Sequence, residues 1–346
     1  MSSMAALLFL ALLPISAPAA PPGPEGIVPT PVSLAADGIA LRGFVFRPAA
    51  RGRCPAVICA HGFVGSSADV RGICASLAGL GYVAMALDFR GCGASGGRAE
   101  FALGETRDLL AAAAYLRRQP FVAPERIGAF GAGMGGTVAL LAAAGDQRLK
   151  AVVGFMAPTD CAAFVAALEA ARSPLAAPIT RAIGGTPSQK PERYRARSPL
   201  TEAGKIAAPA LLVYGEKDPL VPPAHGEALR DAMRAAGRSC TIRVYRGEGN
   251  SFSNPANAAD SVLVMMRFLN AQLGNTPRAG TLEACLLRRM EVLQALARCQ
   301  SAGTRVPTDL LAACDLAQAA LEARKYGEAY RLLGEALGAL GSKADR

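Results

Sequence analysis

Arg126-Ile127-Gly128-Ala129-Phe130, Gly131-Ala132-Gly133-Met134-Gly135 and Gly136-Thr137-Val138-Ala139-Leu140-Leu141 follow one another as a short apolar strand, a glycine-rich corner and the start of an apolar helix. Alternate glycines let a chain turn sharply from strand to helix and pack the two closely. The same strand-then-helix alternation extends outward. Strands are expected at Val57 to Ala60 and Val83 to Leu87, with helices near Ala68–Leu80, Thr106–Arg118 and Met134–Ala144 and a closing one near Asn257–Leu273. Within Val32–Phe46, Asp37-Gly38 marks the turn of an antiparallel hairpin. Strands alternating with helices imply an α/β fold, a mostly parallel central sheet with helices on both faces.

Four more segments carry chemistry. Cys59-Ala60-His61-Gly62-Phe63 follows one strand, and Leu87-Asp88-Phe89-Arg90-Gly91-Cys92-Gly93-Ala94-Ser95-Gly96-Gly97 follows the next. A buried strand, Pro209-Ala210-Leu211-Leu212-Val213-Tyr214-Gly215, leads through Glu216-Lys217 to Asp218, and Thr241-Ile242-Arg243-Val244-Tyr245 leads into Gly247-Glu248-Gly249-Asn250-Ser251-Phe252. Over roughly residues 30 to 273 this combination resembles the dienelactone hydrolase branch of the α/β-hydrolases.

The resemblance implies a triad in the order nucleophile, acid, histidine. The nucleophile position is Gly133, the acid position Asp218 and the histidine position Asn250. Glycine has no side-chain atom able to attack a carbonyl, and asparagine cannot cycle a proton near neutral pH. No serine occurs between Ser95 and Ser173 to supply a displaced elbow. The resemblance also implies oxyanion donors in the backbone N–H groups of Phe63 and Met134, which survive any side-chain change. The fold is therefore expected without its hydrolytic chemistry. Its old pocket would take a small acyl or carboxylate ligand, with His61, Asp88, Arg90, Asp218 and Asn250 as contact candidates. The rival expectation is a working ester or lactone hydrolase with an unorthodox nucleophile. Thr137 and Cys92 are the nearest such groups by segment, and they read as a packing residue and a small buried hydrophobe.

Only two histidines occur in the chain. His61 reads as a hydrogen-bonded imidazole at a strand end, and His225 as a surface residue at a helix start. The 346 residues, 51% of them hydrophobic, suffice for a full core and a second unit. A net charge of +10 with no tryptophan and scattered basic residues fits no nucleic-acid surface, which needs clustering. The one local cluster is Arg181, Lys190, Arg193, Arg195 and Arg197. It lies where such a fold carries a lid, and reads as a solvated face or as a cationic rim for an acidic ligand or partner. No cofactor or metal is expected.

Residues 1–20 combine the apolar run Ala5-Ala6-Leu7-Leu8-Phe9-Leu10-Ala11-Leu12-Leu13 with small residues at Ser16-Ala17-Pro18-Ala19-Ala20, the pattern of a secretory signal peptide, although no positive charge precedes the run. The run falls short of the ~20 residues that span a bilayer, so no stable membrane insertion is expected. A proline-rich linker at 21–30 then opens a hydrolase domain at 31–275, in a periplasmic or secreted protein. Residues 280–342 read as a small all-helical hairpin or bundle, with helices at Leu282–Cys299, Asp309–Ala323 and Tyr326–Leu340. The segment Lys325-Tyr326-Gly327-Glu328-Ala329-Tyr330-Arg331-Leu332-Leu333 resembles the second helix of a tetratricopeptide repeat, and one such unit cannot build a solenoid. This tail is read either as packing on the hydrolase domain or as docking a protein partner. Cys54, Cys59, Cys74, Cys92 and Cys161 sit in apolar or glycine-rich surroundings and read as buried thiols. Cys299 and Cys314 flank a turn and are read either as a disulfide or as two free thiols.

Overall fold

The computed structural model describes residues 27–48, 52–275, 277, 279–301, 306 and 308–344. The signal peptide expected at 1–20 and most of the linker expected at 21–30 lie outside the described residues. Eight strands form one sheet in the order β1-β2-β4-β3-β5-β6-β7-β8. Strands β1 (Thr30–Ala36) and β2 (Ile39–Phe46) form the antiparallel hairpin, and β2 pairs antiparallel with β4 (Val83–Leu87). The other neighbours, β3 (Cys54–Ala60), β5 (Val122–Ala132), β6 (Ala151–Phe155), β7 (Ala210–Gly215) and β8 (Cys240–Tyr245), run parallel. At the hairpin turn Asp37 and Gly38 both take left-handed φ, 51° and 76°, as a two-residue turn matching strand twist requires. This is the α/β-hydrolase fold the sequence implies.

Strands β3, β4, β6 and β7 are buried along their whole length, because helices cover both faces of the sheet. Alternating strand residues go to opposite faces. Ile58, Met85 and Ala129 meet Leu109, Ala112 and Leu116 of α2 (Leu103–Arg117) and Val138 and Leu140 of α3 (Met134–Gly145). Val57, Cys59, Val153 and Val213 meet the other layer, where α1 (Arg71–Gly79) gives Cys74 and Leu77 and α8 (Pro255–Leu273) gives Met265, Met266 and Leu269. Between β6 and β7 lies a helical lid of α4 (Cys161–Ala170), α5 (Ala176–Ile183) and α6 (Pro191–Arg195), followed by a 3-10 turn at Pro199–Lys205. Helix α7 (Ala224–Ala235) connects β7 to β8.

The tail consists of α9 (Leu282–Ser301), α10 (Thr308–Glu322) and α11 (Tyr326–Ala344), closing on a small core of Cys285, Val292, Ala317, Ala329, Leu333 and Ala336. Leu286, Leu287 and Met290 of α9 pack against the α8 side of the hydrolase core. A polar clamp adds to this: Asp260 on α8 accepts from Tyr245 Oη (2.7 Å), Arg243 (3.2 Å), Arg298 (3.0 Å) and Gln294. Cys299 and Cys314 are free, half-buried thiols, so the disulfide alternative is not what the structure holds. Cys54, Cys59, Cys74 and Cys161 are buried as expected, whereas Cys92 is only half-buried on its open glycine-rich loop. Among the described residues no helix is long and apolar enough to cross a membrane.

Candidate active site

Parallel strands deliver their following loops to one edge of a sheet, and four such loops meet here. After β5, Gly133 takes φ 54° and ψ −127°, a conformation strained for any residue with a Cβ. Its N–H donates to Phe155 O (2.8 Å), and its carbonyl accepts from Gly136 and Thr137 (3.0 and 3.2 Å), which locks the corner between β6 and α3. A Cβ on Gly131 or Gly135 would strike backbone of the helix or of β3, but a Cβ on Gly133 would meet nothing within 4 Å. The turn thus keeps the form that presents a side chain outward, with open space where that side chain would stand.

After β7, the Asp218 carboxyl is buried and fully engaged. Oδ1 accepts from the Leu220 and Val221 N–H groups (both 2.9 Å), and Oδ2 accepts from Asn250 Nδ2 (2.8 Å). Asn250, in the loop after β8, is itself exposed. That loop is organised by Glu248, which accepts from Ser253 N and Oγ (2.7 and 3.1 Å), Asn254 N (3.1 Å) and Asn257 Nδ2 (2.7 Å). Burial alone would raise the Glu248 pKa; the hydrogen bonds outweigh it and leave the carboxyl below its usual range.

After β3, the turn Gly62-Phe63-Val64-Gly65 closes through Gly65 N–H to Gly62 O (3.1 Å). Among the described residues neither the Phe63 nor the Met134 N–H donates to another protein group. His61 anchors the turn from beneath. Its Nε2 accepts from Phe89 N–H (3.1 Å), which requires the proton on Nδ1, and Nδ1 then donates to Gly62 O (2.8 Å). Burial lowers its pKa. The half-buried Phe63 ring lies edge-on to Phe101 (5.4 Å between centroids), and Phe101 stacks on Phe164 of the lid helix α4 (6.0 Å). Phe101 and Phe164 carried no sequence signal, since neither falls in a motif.

Three contact candidates need correction. His61, Asp88 and Arg90 do not face a ligand site; internal partners take their polar atoms. Asp88 accepts from Ser67 N (2.6 Å) and Ala94 N (2.9 Å). Arg90, almost wholly buried, binds Asp108 (2.7 Å), Asp37 (2.9 Å) and Glu100 (3.1 Å). His225 is also not at the surface. It is 7% exposed, its Nδ1 accepts from the Thr159 and Asp160 N–H groups (both 3.3 Å), and Thr159 Oγ1 donates to its carbonyl (2.6 Å). Burial lowers its pKa too. Of the basic cluster, Arg197 is buried and donates to Glu100 O (3.0 Å), Arg193 donates to Ile183 O (2.9 Å), and Arg195 pairs with Glu192 (2.6 Å). Arg197 and Arg193 thus tie lid segments to neighbouring backbone, while Arg181, Lys190, Arg193 and Arg195 are exposed. Thr137 is buried and donates to Pro158 O (2.7 Å), while burial pushes the Cys92 thiol up to about 11. Among the described residues no three His, Cys, Asp or Glu side chains gather as a metal site.

Fold and elbow together define an α/β-hydrolase. The chain belongs to the prolyl oligopeptidase family, whose model matches residues 68–276. It is similar to the uncharacterized peptidase YtmA of Bacillus subtilis (strain 168), at 31% identity over 201 residues, 57% of this chain and 76% of the relative. A Bradyrhizobium protein named as a probable 2-oxo-3-(5-oxofuran-2-ylidene)propanoate lactonase is 26% identical over 233 residues, 64% of this chain and 82% of the relative. Inactive dipeptidyl peptidase 10 of Mus musculus is 29% identical over 151 residues, 43% of this chain and 18% of that protein. Among solved structures, a Mycobacterium tuberculosis puromycin-hydrolyzing peptidase superposes with TM-score 0.65 at 25% identity, covering 73% of this chain. The chain spans about two fifths of the length of that structure (40%).

Proposed function

We propose that this protein is a catalytically degenerate member of its family, of the dienelactone hydrolase type, that binds a small acyl or carboxylate compound in the former active site without cleaving it. The observation that carries the reading is the pairing of Gly133 in the elbow conformation with Asn250 hydrogen-bonded to Asp218. Acid, elbow and amide donors are in place, while the attacking atom and the proton carrier are missing. Loss of a whole triad costs about 10⁶ in turnover, and binding survives it. Phe63 and Met134 N–H groups supply donors for a carbonyl or carboxylate oxygen. A similar protein bearing the name of an inactive peptidase supports loss of chemistry on this scaffold. Similarity to a protein named as a probable lactonase supports the dienelactone hydrolase type. We place the protein in the periplasm or outside the cell, on the signal-like residues 1–20.

The rival reading keeps the hydrolytic activity of relatives and moves the nucleophile. Against it, Thr137 is buried and committed to Pro158 O, and the Cys92 thiol is poorly ionised. The deciding experiment compares wild type with Gly133→Ala on 4-nitrophenyl acetate and dihydrocoumarin at saturation, with fluorophosphonate labelling alongside. No covalent label and equal, water-like rates are expected. A labelled wild type, or a rate clearly above that of the variant, rejects the proposal.

A further inference from the structure

One residue beside the site carries two unfavourable features at once. Val64 is 70% exposed and its φ is +57°. A β-branched residue in the left-handed region is a true outlier, because its branched Cβ crowds the backbone. In the Gly62–Gly65 turn it holds the third position, where positive φ normally selects glycine or asparagine. Nothing in the folded state rewards valine there, since a side chain so exposed buries little apolar surface. Strain retained at such a position points towards use.

Its place identifies the use. Val64 follows Phe63, whose N–H is the donor assigned above to a ligand oxygen and whose ring is half-buried against Phe101. The same junction carries two further non-glycine residues with left-handed backbone, Phe101 (φ 51°) and Ala102 (φ 71°). Three of the seven non-glycine residues with positive φ among the described residues thus lie in the two loops that meet at the Phe63 ring.

We infer that Val64 is a specificity-determining lip of the binding site, a methyl-bearing edge that closes over the apolar substituent of a ligand whose oxygen is held by the Phe63 N–H. The inference rests on the binding reading of the former active site and adds the ligand class: an acid or acyl compound with a sizeable hydrocarbon or aryl group next to its polar end. Small polar acids gain nothing from such a lip.

The test uses Val64→Asn and Val64→Gly in the full chain, with 4-phenylbutanoate and acetate as probes and the Phe63 and Met134 amide resonances as reporters. Both replacements tolerate positive φ, so both should melt at or above the wild-type temperature. Binding of 4-phenylbutanoate should move both amide signals and weaken about tenfold in both variants, the effect of leaving one buried valine side chain unburied. Any acetate affinity should stay unchanged. If 4-phenylbutanoate moves the amides and binds the variants as tightly as wild type, the lip is refuted and the binding reading stands. If neither probe moves either amide in any of the proteins, the binding reading fails and the lip falls with it. A fall in melting temperature in both variants also refutes the lip, because Val64 would then be a packing residue.

Discussion

A serine placed at position 133 would enter open space, and a histidine at position 250 would find Asp218 already anchored by the Leu220 and Val221 amides. Gly133→Ser combined with Asn250→His should therefore create measurable turnover of 4-nitrophenyl acetate, while each single change does far less, because triad members act as a unit. A folded but inert double variant would show that the loops have drifted out of catalytic register. The same backbone sets a cost. At φ 54° a Cβ is strained by about 1–3 kcal/mol, so Gly133→Ala should lower the denaturant midpoint with no change in slope. An unchanged midpoint would contradict that strain. The strand-end loops that carry Gly133, Asp218 and Asn250 were legible because each follows its own strand. The contact candidates His61, Asp88 and Arg90 were not, because their fate depends on partners such as Phe89, Ser67 and Asp108, brought in from elsewhere by folding. His225 was misplaced for the same reason: the amides that bury it are Thr159 and Asp160, across the sheet edge on another loop.

At the scale of elements, apolar periodicity exposed the strands, the helices flanking the sheet and the three tail helices, since each follows a local repeat. How the tail sits was not readable, because one helix face looks the same whether it meets a neighbour or a partner. The structure gives α9 two attachments to the hydrolase domain: the apolar patch of Leu286, Leu287 and Met290, and the clamp on Asp260. Met290→Asp puts a charge into the first, a burial that costs several kcal/mol when unpaired. Amides of α9 to α11 should then exchange much faster, while those of β3 to β7 remain protected. Loss of protection across the whole sheet would mean that tail and domain unfold as one unit. At the clamp, Asp260→Ala leaves the buried Tyr245 hydroxyl without its acceptor, a loss of about 1–3 kcal/mol readable in the urea midpoint. The outer arginines add little to that figure, since Arg243 and Arg298 are more than half exposed.

For the molecule as a whole, the two histidines set the upper edge of acid sensitivity. Burial lowers both pKa values from the ordinary 6.5, so the imidazoles stay neutral in the fold while the unfolded chain takes up protons. Unfolding free energy therefore rises with pH across the window between the folded values and 6.5, and is lost as pH falls through it. The hydrogen bonds enforce the same sign, because His61 Nε2 and His225 Nδ1 each accept from backbone N–H groups and cannot do so once protonated. Glu248 and Asp146, with lowered pKa values, extend the loss once pH drops below about 4.5. Glu105, raised by burial, works the other way: its neutral form stabilises the fold at low pH, and that contribution disappears as pH rises through its folded value. A net charge of +10 adds self-repulsion on acidification, but that part is screened by salt and the histidine part is not. The denaturant midpoint should thus decline from pH 7 to pH 5 at high salt as well as low. His225→Gln, which keeps an acceptor for the Thr159 amide and removes the titration, should flatten that slope. A variant whose midpoint falls between pH 7 and pH 5 as steeply as wild type would place the acid sensitivity elsewhere.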